Sequence, residues 1–441
     1  MLFTKKDISK ILLPLLAEQL LAVSIGMFDS MMVSSAGEAA VSGVSLVDSI
    51  NLLLSNIFAA LATGGAVVCS QFLGRKDNAS ARSAAKQLYY VVFIISSLLT
   101  VFALVFRGAL LSLIFGKIEA DVMANAMIYF LFTSLSYPFL GVYNGGAAVF
   151  RAMGNSRISL LVSMLMNGIN VAGNAILIFC FGMGAAGAAI ATLVSRVVGA
   201  CIMVYLSHNK SNSIYVEEIF RYTPDMPIIR NILHIGIPSG LENGMFQLGK
   251  LLTQSLVSGF GTAAIAANAV AHTVVSFEYA AGGAVGLTMI TVIGRCVGAG
   301  EKEQAKQYSK KLLGTAYLIM LVVCLLLTLL AYPITVVYNL SASARELAVT
   351  LILMHNILAA MVWPVAFTLP NSFRAASDVT FTMSVSVISM WIFRVGLSYV
   401  LAGWLQMGVL GVWISMLIDW VVRAAFFGAR FASGKWLNKY S

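Results

Sequence analysis

The chain alternates long apolar stretches with short polar breaks. Ser49–Gly74, Val122–Phe150, Ile158–Ser195, Leu312–Ala344 and Val395–Ile418 contain no Asp, Glu, Lys or Arg. A helix rises about 1.5 Å per residue, so roughly 20 apolar residues cross a hydrocarbon core. These runs are long enough to span, and the longest must hold more than one crossing. Breaking them at Gly- and Pro-containing segments predicts twelve helices, near 10–34, 45–72, 86–112, 122–149, 157–180, 185–207, 230–257, 265–296, 311–338, 346–370, 380–402 and 408–431. Two of the breaks, Phe181–Gly184 and Ser258–Gly261, rest on glycine inside otherwise apolar sequence.

Composition agrees with a membrane solvent. Of 441 residues 59% are hydrophobic and only 10% charged, with mean hydropathy +0.89. A soluble domain carries about 25% charged residues, so this chain could not cover a water-facing surface. A secreted enzyme, a nucleic-acid-binding domain and a disulfide scaffold are poor readings. The net charge of +10 changes meaning once it is mapped. With the N-terminus inside, most Lys and Arg fall on cytoplasmic segments, while Arg107, Lys117 and Arg345 fall on or near outer loops. That asymmetry orients twelve crossings with both termini cytoplasmic, and leaves Arg196, Lys250 and Arg394 within helices. The five cysteines form no CxxC pair and read as single buried thiols. The N-terminal helix lacks a small-residue cleavage pattern and is expected to be retained.

A shift of 224 residues lays the chain on itself. Pro14-x3-Glu18 falls on Pro238-x3-Glu242, Gly74 on Gly298, and Gly184-x2-Gly187 on Gly408-x2-Gly411; Arg151-Ala-Met-Gly-Asn matches Arg374-Ala-Ala-Ser-Asp with one residue of slippage. The sequence therefore predicts an N-terminal six-helix lobe (1–207), a cytoplasmic linker (208–229) and a C-terminal six-helix lobe (230–441). An even number of helices per lobe makes the repeats parallel, which predicts a central cavity and transport by rocking of one bundle against the other.

Polar residues inside the spans carry the candidate chemistry. An ionised Asp in mid-helix costs about 2.5–3.5 kcal/mol on insertion scales, yet Glu18, Asp29, Glu242, Lys250 and Glu278 all lie within predicted helices. Glu18 and Asp29 share a face of the first helix. Asn167, Asn170 and Asn174, spaced three and four, form one stripe on the fifth, and Thr192 adds a hydroxyl on the sixth. Amide oxygens with a carboxylate suit Na⁺, whereas an isolated carboxylate suits a proton; interhelical hydrogen bonding is the plain structural alternative. The second half does not rebuild this set: Asp29 maps on Thr253, and the stripe maps on Met390, Phe393 and Leu397 at the Arg151/Arg374 offset of 223 or on Trp391, Arg394 and Ser398 at 224. Its own polar residues, Glu242, Gln247, Lys250, Gln254 and Glu278, are candidate cavity-lining groups, as is Glu18 in the first half. Lys250 is expected to pair with Glu278 or Glu242, unless it contacts substrate. His272 and His355 read as polar interface residues. Tyr137-Pro138 and Trp363-Pro364 read as kinks, and Asp419/Arg423 as an interfacial i,i+4 salt bridge.

Taken together, Pro14 through Phe28-Asp29-Ser30-Met31-Met32-Val33, Gln71-x2-Gly74, Arg151-Ala-Met-Gly-Asn155, Asn170-x3-Asn174, Gly184-x2-Gly187-Ala188-Ala189-x2-Thr192 and Gly236-Ile-Pro238 resemble the multidrug and toxic compound extrusion (MATE) transporters. The resemblance covers nearly the whole chain. It implies an all-α polytopic membrane protein, with twelve transmembrane helices in two pseudo-symmetric six-helix bundles around a central cavity. It implies a bacterial exporter of small organic, often cationic, compounds by cation-coupled antiport, with Na⁺ or H⁺ as coupling ion and no other cofactor. It places the coupling site at Asp29, Asn170, Asn174 and Thr192, with Na⁺ at the first three. Some Na⁺-coupled members carry further acids in the seventh and tenth helices, where this chain has Phe246 and Trp363. A monomer in the cytoplasmic membrane, in contact with lipid and with no nucleic-acid partner, is expected. The rival reading is a lipid-linked oligosaccharide flippase of the same superfamily, which would need several cavity cations. No HExxH, Gly-x-Ser-x-Gly or GxxxxGK[ST] motif supports an enzyme.

Overall fold

A computed structural model describes every residue except Met1, Lys117, Phe220, Tyr222, Asn339, Tyr440 and Ser441; the side chains of Ser30 and Ser34 are also outside the description. Lys117, read from the sequence as an outer-loop cation, therefore lies outside the described residues. Helices account for the secondary structure: α1 (Lys5–Ser34), α2 (Glu38–Gly74), α3 (Asn78–Val105), α4 (Arg107–Phe115), α5 (Ala120–Leu135), α6 (Tyr137–Ala152), α7 (Ser156–Asn174), α8 (Gly184–Ser207), α9 (Met226–Ser258), α10 (Thr262–Gly298), α11 (Lys302–Val337), α12 (Ala342–Trp363), α13 (Pro370–Ala375), α14 (Val379–Ser389) and α15 (Gly408–Ala432). Wide π-helical turns prolong three of them, Ala175–Cys180 after α7, Pro364–Thr368 after α12, and Met390–Gly396 with Tyr399–Trp404 after α14.

These segments follow the twelve predicted ones, and the differences have local causes. Helices facing water begin earlier than the apolar runs, because charged first turns still form helix. At α3 the Asp77 carboxylate accepts the Ser80 backbone N–H at 3.0 Å, a cap that starts the helix at Asn78. The Ser80 side chain and backbone together hold the Asp77 carboxyl below the usual carboxylate range. The fourth predicted helix is broken: α5 and α6 meet at 44° beside Tyr137-Pro138. Gly182 (φ +65°) and Gly261 (φ +92°) end the preceding apolar runs in the left-handed region, where side chains are strained.

Among the described residues ten helical segments are long and apolar enough to cross a membrane, and the bent α5–α6 pair makes eleven. The remaining long helix, α9, has 33 residues, about 50 Å of helix; Glu242, Asn243, Gln247, Lys250 and Gln254 lower its hydropathy. On α11, Leu318, Leu321, Leu325 and Leu329 are all more than half exposed. They recur at helical spacing, a stripe suited to lipid.

The chain forms two compact units, Ser9–Gly240 and Leu241–Ser441, the latter including Met1–Ile8. In the first, α2 packs on α3, α5 and α6, while α8 packs on α5, α6 and α7; Val47, Phe58, Phe130 and Tyr137 are central to its core. Small residues permit close backbone approach, as membrane bundles require in the absence of a hydrophobic drive between helices. A Cβ on Gly64 would meet the Ile232 carbonyl oxygen and the Gly236 backbone. In the second unit, α10 packs on α11, α12 and α13, and α15 on α12 and the π-helical turns, around Trp363, Trp413, Trp420 and Leu351. The Phe3 backbone is tied in by Tyr308, whose hydroxyl accepts its N–H at 3.0 Å and donates to its carbonyl at 2.6 Å.

Gly64→Leu is expected to lower stability by about 1–3 kcal/mol through overpacking, read as a lower thermal-unfolding midpoint in detergent. Gly26→Leu, at a glycine with open space around it, is the control.

Candidate functional site

The first unit contains a cavity of about 300 Å³ lined by side chains of α1, α2, α5, α7 and α8. Asp29 reaches it from α1, Asn167, Asn170 and Asn174 from α7, and Thr192 from α8. The i, i+3, i+7 spacing on α7 puts all three amides on the side that meets α8. Asn174 Nδ2 donates to Asp29 Oδ1 at 3.0 Å. The Asn170 amide can be placed in two ways, of which the first satisfies both its ends. With nitrogen toward α1 it donates to both Asp29 oxygens, at 3.0 and 2.9 Å, while its oxygen accepts from Thr192 at 3.0 Å. With oxygen toward α1 it accepts from Asn174 at 3.3 Å, and its nitrogen donates to Thr192 at 3.0 Å. The first arrangement suits an ionised carboxylate. The second presents an oxygen to whatever positive group the carboxylate holds. Hydrogen bonds to a charged group contribute about 1.5–3 kcal/mol each, so two amides offset the cost of the intramembrane acid. Asn174 Oδ1 is buried without a donor.

The same cavity holds residues that sequence reasoning passed over. Asp48 on α2 accepts from Asn51 Nδ2 at 3.2 Å and from the Tyr129 hydroxyl at 3.0 Å, and the Tyr137 hydroxyl donates to Asn51 Oδ1 at 2.8 Å. Asp48 carried the signal used for Asp29, an acid inside a span, but it sits one residue before the charge-free run that begins at Ser49. Arg196 on α8 also lines the cavity and donates to Ser136 Oγ at 2.7 Å. Glu18 lies elsewhere on α1, where it is buried and accepts a 2.6 Å hydrogen bond from Ser159.

The candidate lining residues of the second unit separate into several local networks. Glu242 pairs with Arg374 at 2.7 Å. Glu278 is fully buried 3.3 Å from His355 Nδ1, and the other ring nitrogen of His355 lies 3.0 Å from the Tyr279 hydroxyl. Gln254 accepts from Asn268 at 3.0 Å, whose oxygen accepts from the Trp413 indole at 2.9 Å. Gln247 is half-buried. Lys250 therefore pairs with neither Glu242 nor Glu278, a correction of the sequence expectation: both acids already have nearer partners that hydrophobic periodicity could not reveal. The interfacial reading of Asp419/Arg423 is also corrected. The pair is joined at 2.9 Å but is buried, its acid 0% and its guanidinium 2% exposed, because α15 runs through the core and Ser389 donates to the same carboxylate. His272 packs against Trp413 with its ring tilted by 38° and centroids 4.9 Å apart. At the positions where some MATE proteins carry acids, Phe246 lies beneath the Arg394 and Arg423 guanidiniums, 5.2 and 5.4 Å away, and Trp363 stacks on Phe367.

The repeated all-α architecture, with membrane-length helices and a polar pocket inside one repeat, is that of a polytopic membrane transporter. The MatE family model matches residues 14–176 and again 238–400, so the chain belongs to the MatE family. The second match lies 224 residues beyond the first, the offset found in the sequence. The chain is similar to "Probable multidrug resistance protein NorM" of Thermotoga maritima, 26% identical over 98% of this chain and 93% of that protein. It is also similar to "Uncharacterized transporter YisQ" of Bacillus subtilis, 27% identical over 97% and 94%. A solved structure described as the outward-facing conformation of a multidrug resistance MATE family transporter shares the fold, with TM-score 0.90 and 20% identity over 98% of this chain and 96% of that one. MATE transporter structures have twelve helices in two bundles. Relatives named as probable multidrug resistance proteins support a multidrug efflux transporter, and the flippase reading is not favoured.

Removing one partner of a buried ion pair costs about 3–5 kcal/mol, whereas replacing both with apolar groups is often neutral. Asp419→Leu is accordingly expected to depress the unfolding midpoint sharply, and Asp419→Leu with Arg423→Met to recover most of it. Equal losses in the two proteins would show that the pair does not act as a unit.

Proposed function

We propose that the protein is a secondary active exporter of small organic compounds, driven by Na⁺ or H⁺ that enters the pocket of the first unit and binds at Asp29. The observation that carries this reading is an acceptor surplus: an intramembrane carboxylate beside the orphaned oxygen of Asn174, in a site whose second amide can turn its oxygen inward. Such a set is completed by a proton on the carboxylate or by a small hard cation among the oxygens. Asn170 and Thr192 register the change by reversing their hydrogen bond. Asp48, held by Asn51 and Tyr129, keeps the pocket negative beside Arg196.

Filling the site neutralises the acid, which lets α1 repack against α7 and α8 and couples ion entry to the rocking of the two repeats. Each unit charge moved through 100 mV contributes about 2.3 kcal/mol, comparable to the cost of an intramembrane acid. The protein acts as a monomer in the cytoplasmic membrane, with both termini inside, and its substrates enter from the cytoplasm or the inner leaflet. Multidrug relatives and the family match support export of foreign compounds.

Asp29→Asn is expected to insert normally and to reduce efflux of a fluorescent organic dye from proteoliposomes to the level of empty vesicles, under an imposed Na⁺ gradient and an imposed pH gradient alike. The gradient that drives the native protein identifies the ion. Ion-driven efflux that survives in Asp29→Asn would remove the assignment.

A further inference from the structure

We propose that the second unit holds an anion-accepting site built on Lys250 and Arg394, and that the exported compounds accordingly carry an acidic group, as zwitterions or amphipathic anions. This rests on the export reading above and narrows its substrate class.

The first observation is positional. At the 224-residue offset, Asn170 of the ion pocket corresponds to Arg394, Asp29 to Thr253, and Gly26 to Lys250. The second repeat thus keeps the scaffold of the pocket but replaces its carboxylate with a hydroxyl and one of its amides with a guanidinium. It also adds an ammonium one turn away on the first helix of the repeat. The sign of the site is inverted.

The second observation is a missing partner. Arg394 is only 5% exposed, and among the described residues neither it nor Lys250 makes an ion pair or donates a side-chain hydrogen bond. The two repel each other across the interior, and both act on His272. Their closeness follows from packing: a Cβ on Gly249 would strike Met390 and Val395, so α9 lies directly on the π-helical turn that carries Arg394. Asp419, the acid that acts on Arg394, is already engaged by Arg423 and Ser389. Two guanidiniums therefore draw on one carboxylate. The face of Phe246 compensates Arg394 only in part. Charges in a membrane interior are retained where they meet a partner or a ligand, and a guanidinium beside an ammonium is suited to a carboxylate, sulfonate or phosphate.

The test compares a xanthene dye bearing a free carboxyl group with its ethyl ester, by fluorescence polarisation on the purified full-length protein in lipid nanodiscs. The native protein should bind the acid form about tenfold more tightly than the ester, as expected for pairing a carboxylate with desolvated cations. In Lys250→Gln and Arg394→Gln that ratio should fall toward one. Lys250 is half-buried, so Lys250→Gln decides the matter should Arg394→Gln fail to fold. A native ratio of one or below overturns the proposal. So does an unchanged ratio in the variants, which is what general structural damage would give by weakening both forms in parallel. Ion-driven efflux of the ester from proteoliposomes is measured alongside. If the ester is exported with no preference for the acid form, only this inference fails; if neither form binds or moves, the export reading fails with it.

Discussion

A charge inside hydrocarbon must be matched from within the protein, and that requirement shapes the interior of both units. Glu18 is met by Ser159, Asp48 by Asn51 and Tyr129, Glu242 by Arg374, Asp419 by Arg423 and Ser389, and Glu278 by His355. Each match fixes the rotation of a helix about its axis, because a turn of one residue would carry the group toward lipid. Matching is not complete everywhere, since oxygens of Glu242, Glu278 and Asp419 lack a hydrogen-bond donor among the described residues. Of the incompletely matched groups, the Asn174 oxygen beside Asp29 in the first unit and Lys250 and Arg394 in the second carry the proposed chemistry.

The two repeats show how one scaffold acquires two chemistries. Both are matched by a single family model, and both prolong the span bearing the central polar stripe with a π-helical turn. Local widening of this kind is common near functional sites. Within that shared frame the first repeat offers oxygen atoms and the second offers cationic nitrogen. Cores differ to match: the first unit relies on small residues and close helix approach, whereas the second buries Trp363, Trp413 and Trp420 around its polar networks.

The helices were legible because a spanning segment must satisfy all its backbone hydrogen bonds internally, which leaves a long apolar run as its trace. The carboxylate–amide site was legible for a related reason. Asp29, Asn170 and Asn174 are conspicuous against apolar neighbours, and a spacing of three or four residues reports a shared face. Partner choice was not. Nothing in the spacing distinguishes Glu242–Arg374, 132 residues apart, from a pairing of Glu242 with Lys250 two turns away on the same helix. The burial of Asp419 and Arg423 was likewise concealed, since their exposure depends on what the middle of α15 packs against. The 44° break of the fourth span was legible at one point, Pro138, although its two limbs are each apolar.

The wide turn after α7 has a consequence for how such a pocket could be remade. One surplus residue in a helix rotates everything beyond it by about 100°. Asn170 and Asn174 can therefore keep facing α1 and α8 while Phe179, within the turn, and Phe181, just past it, are exposed. Beyond the turn the chain runs through Gly182 into α8. Insertion or loss of a single residue at the seam would re-aim that run while leaving Asn170 and Asn174 in place, a graft point at which a lineage can change the mouth of a pocket without touching its floor.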